Sequence, residues 1–215
     1  MKNIFVQQMK NVLSAYYELR KARDKEISDI TQKYAPQFAE RFIQEVDKKR
    51  ELDYEDVKAE ILKVFEEVRT LLACSAELNV ESDDFERVKK LMTSGFDFSE
   101  SEIQTQLQKY PFDYTIQRWI GDTVKKSNPK LYDKLEIRTP LSALQAYRQF
   151  GQSALYVAER IFQNHWSADL AIQHFDDPKV NAPLYEQIGS GDNLKACNYQ
   201  NIPISAMHDF DDVTL

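Results

Sequence analysis

The sequence predicts an all-α protein, built from an N-terminal helical hairpin or coiled coil, a small helical domain and a loop-rich C-terminal segment. Glycine is scarce, and residues that favour helices, such as Glu, Lys, Gln, Ala and Leu, are plentiful. Apolar residues recur at steps of three and four along most of the chain, which is the period of a helix. Turn-forming residues cluster after residue 175. The predicted divisions are residues 1–80, 82–163 and 164–215.

The first predicted helix covers residues 3–34 and carries an apolar stripe near its start. Further along, Arg20 and Arg23 occupy the positions where the stripe would continue, so the helix is exposed there or pairs through charges. Pro36 then predicts a kink or a break. The stripe is the expected interface with a second copy or another protein, and it consists of Phe5, Met9, Val12, Leu13, Tyr16 and Tyr17.

The strongest pattern in the chain follows Asp53, which is predicted to cap a new helix. Apolar residues alternate there at steps of three and four, as in the a/d seam of a coiled coil. Because short connections join antiparallel neighbours, residues 27–46 are expected to face this seam within one hairpin. A seam of a dimeric coiled coil is the alternative. The seam consists of Tyr54, Val57, Ile61, Val64, Val68, Leu71 and Leu78.

Local capping patterns predict the helices of the middle region. Ser82 or Asp83 begins a short helix that Gly95 closes, and Ser99 with Glu102 matches a capping box. Asp113 and the Thr139–Pro140 pair begin two more helices.

The C-terminal region is expected to hold one short helix between His165 and Phe175 and to be irregular beyond it. Enough apolar residues persist there that the segment is expected to dock on its own chain or on a neighbouring subunit.

Charge and composition exclude several classes of function. The formal net charge is −7, which argues against general binding to nucleic acid or to anionic membranes. No apolar run approaches the length of a membrane span, and the N-terminus lacks the pattern of a signal peptide. Cys74 and Cys197 stand apart from each other and from any metal-binding motif, which predicts reduced thiols in a cytoplasmic product.

The sequence contains no strong catalytic or metal-binding motif. His174 with Asp176 and Asp177 is the best local cluster, but a helix end that carries polar residues explains it better. The acids Asp209, Asp211 and Asp212 lack the glycine and the distal glutamate of a calcium loop. No catalytic residue, cofactor or metal ligand is therefore expected.

Residues 26–49, EISDITQKYAPQFAERFIQEVDKK, combine a charged helical pattern, a Tyr-Ala-Pro kink and a helix rich in Ala and Glu. This segment resembles a helical stretch in virion-associated and assembly proteins of tailed phages and prophages of Gram-positive bacteria. The resemblance implies a structural or assembly role and carries no catalytic residues. It does not distinguish a scaffold from a connector, a decoration protein or a tail component.

The favoured function is a non-enzymatic structural or assembly protein that acts through protein–protein contacts, and the resemblance implies a phage virion or its head or tail assembly. Its expected partners are further copies of itself and other structural proteins. One alternative is a regulatory adaptor whose acidic C-terminal region binds a basic partner. Another is a helical enzyme whose site includes His165, His174 and nearby acids.

Overall fold

A computed structural model shows a chain of helices, and no strand occurs among the residues it describes, which are 2–75, 80–163, 168–196, 210 and 213–215. The all-α prediction is confirmed. In order, the helices are α1 (Ile4–Lys33), α2 (Pro36–Ser75), α3 (Asp83–Met92), α4 (Glu100–Lys109), α5 (Tyr114–Ser127), α6 (Pro129–Tyr132), α7 (Pro140–Phe162), α8 (Ala168–Phe175) and α9 (Pro178–Ile188), followed by a 3₁₀ turn at Asp192–Ala196.

The helices α1 and α2 form the predicted hairpin. Asn3 caps α1, because its side-chain oxygen accepts hydrogen bonds from two backbone N–H groups of the first turn. The chain reverses at Tyr34, which has extended backbone angles, and Pro36 opens α2 at a position where a missing N–H costs nothing. The break predicted at this proline is therefore a tight turn between two antiparallel helices.

The prediction that a new helix begins at Asp53 is wrong, because α2 runs unbroken for 40 residues. Asp53 lies inside α2, where its Oδ2 is 2.9 Å from Nε of Arg23 on α1. The residues before Asp53 are mostly charged helix formers, so nothing in them stops the helix.

The continuous helix changes the partner of the predicted seam. Since Arg23 lies opposite Asp53, the residues after Asp53 face the first half of α1 and not residues 27–46. Tyr54 stacks on Phe162 of α7, with ring centroids 4.6 Å apart, and its ring lies 6.4 Å from that of Tyr16. Five of the other seam residues, Val57, Ile61, Val64, Val68 and Leu71, are buried, and Leu78 falls outside the part of the chain that the structure describes.

The chain divides into two compact units whose bounds differ from the predicted divisions. The first unit combines residues 1–67 with residues 147–185 and Leu215. The hairpin thus shares a core with the larger part of α7. Asn3 Nδ2 donates a hydrogen bond of 2.7 Å to the hydroxyl of Tyr147, and the ring of Phe5 meets that tyrosine edge-on.

The second unit comprises residues 68–146 and 186–214, and α5 lies at its centre. Apolar residues of α3, α4 and α5 form its core, and the predicted caps at Ser82, Ser99 and Asp113 are all present. Gln117 of α5 is 1% exposed. It binds backbone groups of three residues outside α5, namely Leu107, Tyr110 and Arg138.

The C-terminal region is more helical than predicted, because α9 follows α8 directly. Asp177 accepts a hydrogen bond from the backbone N–H of Lys179 at 2.9 Å, and Pro178 occupies the first helical position. Sequence reasoning interpreted this Asp-Pro pair as a turn, although it is equally a helix start. Tyr185 of α9 packs on Phe150 of α7 with ring centroids 5.2 Å apart, which confirms the expected docking for this part of the region.

The Arg23–Asp53 pair is expected to help set the register of the hairpin. Both side chains are partly buried, with 24% and 15% of their surface exposed, so a double-mutant cycle to Ala should give a coupling of about 1 kcal/mol that falls at high salt. The exposed Glu60–Lys63 pair, 3.7 Å apart within α2, is the control and should couple by roughly zero. Urea unfolding measures both cycles, and equal couplings would contradict a role in register.

Candidate protein-interaction surface on the hairpin

The end of the hairpin around the turn, residues 26–49, is largely exposed. We call it the hairpin tip. Within it, only Ala39 and Val46 are buried. The tip nevertheless carries large apolar side chains, since Phe38 is 62% exposed and Phe42 39%. Because the two rings are four positions apart, they lie on one face of the helix and form a contiguous apolar patch, a feature that marks many protein-binding surfaces.

Aromatic packing orders the tip. The rings of Tyr34 and Phe42 stack with centroids 4.9 Å apart, and the amine of Lys33 lies 5.3 Å from the tyrosine ring centre. This contact joins the end of α1 to the second turn of α2. Phe38 forms no ring pair of this kind within the described residues and points its ring to solvent.

An open groove of about 600 Å³ lies along one side of the tip. Two cations and two anions border it, so its charges balance, and apolar side chains form the remainder. A groove of this composition suits a helix that carries both signs of charge better than it suits a small molecule. Its lining comprises Ala22, Lys25, Glu26, Asp29, Ile30, Lys33, Tyr34 and Phe42.

Ion pairs join α1 and α2 at the base of the tip. Lys49 lies 3.2 Å from Glu26, and Asp24 lies 2.9 Å from both Arg50 and Arg20. Hydrogen bonding to Asp53 raises the pKa of Arg23. The charged interval of the first helix thus pairs through charges, which was one of the two predicted outcomes.

Arg20 and Tyr16 mark the point where this charged layer meets the core. Arg20 is 5% exposed and donates from Nε to the carbonyl of Ile161 at 3.3 Å. Burial raises the pKa of Tyr16, whose hydroxyl has no hydrogen-bond partner among the residues described. A neutral phenol therefore fits this position.

The predicted interface at the start of α1 is already occupied by the chain's own core. Phe5, Met9, Leu13 and Tyr16 are each at most 4% exposed, while Val12 and Tyr17 are partly exposed. The stripe therefore offers almost no surface to a second protein. The apolar pattern correctly indicates that this face of α1 is buried. It packs against α7 of the same chain, however, where the prediction expected a second protein.

A second, smaller cavity of about 210 Å³ lies beside Lys10 and Asp176. The two groups form an ion pair of 2.7 Å, and the hydroxyl of Tyr185 donates to the backbone carbonyl of Asp176 at 3.4 Å. Burial raises the pKa of Tyr185 to about 12. Because the charged groups satisfy each other, this cavity is better explained as packing of α9 on α1 than as a binding site.

The candidate metal and catalytic residues do not converge in the described part of the chain. His174 is exposed, Asp176 pairs with Lys10 and Asp177 caps α9. Within the described ranges no group of three His, Cys, Asp or Glu side chains could hold a metal ion. Cys74 is buried. His165, Cys197, His208, Asp209, Asp211 and Asp212 lie outside the described residues.

The hydropathy of the helices bears on membrane association. Among the described helices, none combines the length and the apolar character that crossing a bilayer requires.

Comparison of the chain with protein-family models, with curated proteins and with solved structures found no match. The surface just described therefore rests on its own geometry. Sequence reasoning missed it because Phe38 and Phe42 fit the pattern of a buried helical face, which they would share with any core helix. Leu52 on the same helix is also 65% exposed.

Proposed function

We propose that this chain is a non-enzymatic assembly protein that binds other proteins through its hairpin tip, as a component of a phage particle or of its head or tail assembly. The observation that carries the proposal is the exposure of Phe38 and Phe42 beside a charge-balanced groove. The phage context of the proposal rests on the resemblance of residues 26–49, which make up the tip, to helical segments of phage assembly proteins. Partners are further copies of the chain and other structural proteins.

The test compares two exposed phenylalanines. Phe38→Ser alters the tip, whereas Phe96→Ser alters a ring of similar accessibility in the second unit, where Phe96 is 73% exposed. Purified wild type and both variants are titrated against purified portal, capsid and tail proteins encoded in the same genome. Binding that only Phe38→Ser weakens, by about tenfold or more, is expected for an aromatic anchor. Absence of all binding, or equal loss in both variants, would contradict the proposal.

A further inference from the structure

One face of α2 carries a four-residue pattern that is symmetric about its own middle. Phe42, Glu45, Lys49 and Leu52 follow each other at steps of three, four and three, so they lie on one face of the helix. We call them the α2 stripe. All four are exposed: 39% for Phe42, 58% for the side chain of Glu45, 49% for that of Lys49 and 65% for Leu52.

We infer that the α2 stripe is an antiparallel homodimer contact, in which two hairpin tips pair about a two-fold axis near Asp47. The inference rests on the proposed function and names a second copy as the partner of the same surface. Reversing a second stripe over the first aligns Phe42 with the other copy's Leu52, and Glu45 with the other copy's Lys49. In a two-fold contact each such pair occurs twice, because residue i meets j while j meets i.

Charge complementarity is what favours a second copy over an unrelated helix. Glu45 and Lys49 lie at equal distances on either side of the middle of the stripe. In an antiparallel pair of copies, each Glu45 therefore meets the other copy's Lys49, which gives two opposite-charge pairs and no like-charge pair along the stripe. The steps of three, four and three are also the same in both directions, which keeps all four positions in register at once. An unrelated partner would not require either symmetry.

The contacts within the chain engage one of the two charged residues only in part. Lys49 lies 3.2 Å from Glu26 of α1, but 49% of its side chain is exposed, so its amine can meet a second carboxylate from another copy. Glu45 has a single distant partner within the described residues, Arg41 at 3.9 Å, and both side chains remain largely exposed. The groove beside Phe42 adds apolar surface at the edge of the same contact.

The expected dimer is weak. The stripe spans eleven residues, with about 15 Å of helix between its ends, so the buried area is below that of a standard interface. Dissociation in the micromolar range is expected, which makes the equilibrium easy to measure. The rim charges then contribute mainly specificity, and reversing one of them introduces two like-charge pairs at once.

Two charge-reversed variants and their mixture test the inference. Glu45→Lys and Lys49→Glu should each weaken dimerisation by about tenfold or more, because each contact then brings like charges together. An equimolar mixture should restore a heterodimer at least as tight as the wild type, since every charged pair is opposite again. Sedimentation equilibrium measures the masses against the 25.2 kDa chain, and circular dichroism verifies that each variant is helical.

Glu60→Lys is the matched control, because it makes the same charge change on exposed surface of α2 away from the stripe. It should leave the dissociation constant unchanged within about twofold. A wild-type chain that stays monomeric up to about 0.5 mM would overturn the inference, as would a dimer that the mixture fails to restore. Neither result bears on the proposed function, which the Phe38→Ser binding experiment tests separately.

Discussion

Replacing Gln117 with Leu is expected to destabilise the second unit by about 2–4 kcal/mol, although the two side chains are similar in volume. The amide Nε2 donates to the carbonyls of Leu107 and Tyr110, at 2.7 and 2.9 Å, and Oε1 accepts from the backbone N–H of Arg138 at 3.1 Å. Leucine would remove this partner from all three groups, of which the one at Leu107 is buried and the other two are partly buried. The two carbonyls would each keep one longer bond, of 3.3 Å, from a backbone N–H. Urea unfolding followed by the fluorescence of Trp119, which packs on Phe85, measures the loss.

The control for this prediction is Gln104→Ala. Gln104 also accepts a backbone hydrogen bond, from the N–H of Glu136 at 3.3 Å, but the bond is exposed and water can replace it. A loss of at most about 0.5 kcal/mol is expected there. If Gln117→Leu costs no more than this control, the buried amide does not organise the unit.

Gly189→Ala should destabilise the same unit by about 2–4 kcal/mol, for two reasons that add. Gly189 has φ +57°, a left-handed conformation that costs a non-glycine residue about 1 kcal/mol. A Cβ there would also lie 2.5 Å from two ring carbons of Phe112, closer than atoms can approach. The guanidinium of Arg138 lies 5.4 Å from the centre of the ring, so a shift of the ring would disturb this contact as well.

Gly95→Ala separates the two causes. Gly95 has φ +84°, but no atom lies within 4 Å of the position of a Cβ, so only the backbone penalty of about 1 kcal/mol is expected. The double variant Gly189→Ala with Phe112→Leu should recover part of the loss by removing the ring. Thermal unfolding by circular dichroism measures all four proteins, and equal losses at Gly189 and Gly95 would exclude the steric cause.

Features that depend on neighbours in sequence could be predicted. The capping box of Ser99 and Glu102 and the caps at Ser82 and Asp113 act within one helical turn, so the residues alone determine them. Asp53 shows where such reasoning fails. The same carboxylate suits a cap or an ion pair, and its partner Arg23 lies 30 positions earlier in the chain.

The candidate site could not be predicted for a related reason. The stripes that contain Phe5 and Phe38 have the same helical period, and the sequence gives no reason why one is buried and the other exposed. The difference arises because Tyr147, more than a hundred residues away, packs beside Phe5. Gln117 is hidden in the same way, because a single polar residue on an amphipathic helix is ordinarily exposed.

The hydrogen bond from Asn3 to Tyr147 has a consequence for synthesis on the ribosome. The first unit cannot close its core until residues 147–185 have been made, and residues 68–146 are translated in between. At roughly 5–20 residues per second that interval lasts about 4–16 s. During it the apolar start of α1 has no α7 to cover it, so the newborn chain passes through a period in which chaperones, or a neighbouring nascent chain, have access to surface that the finished protein hides.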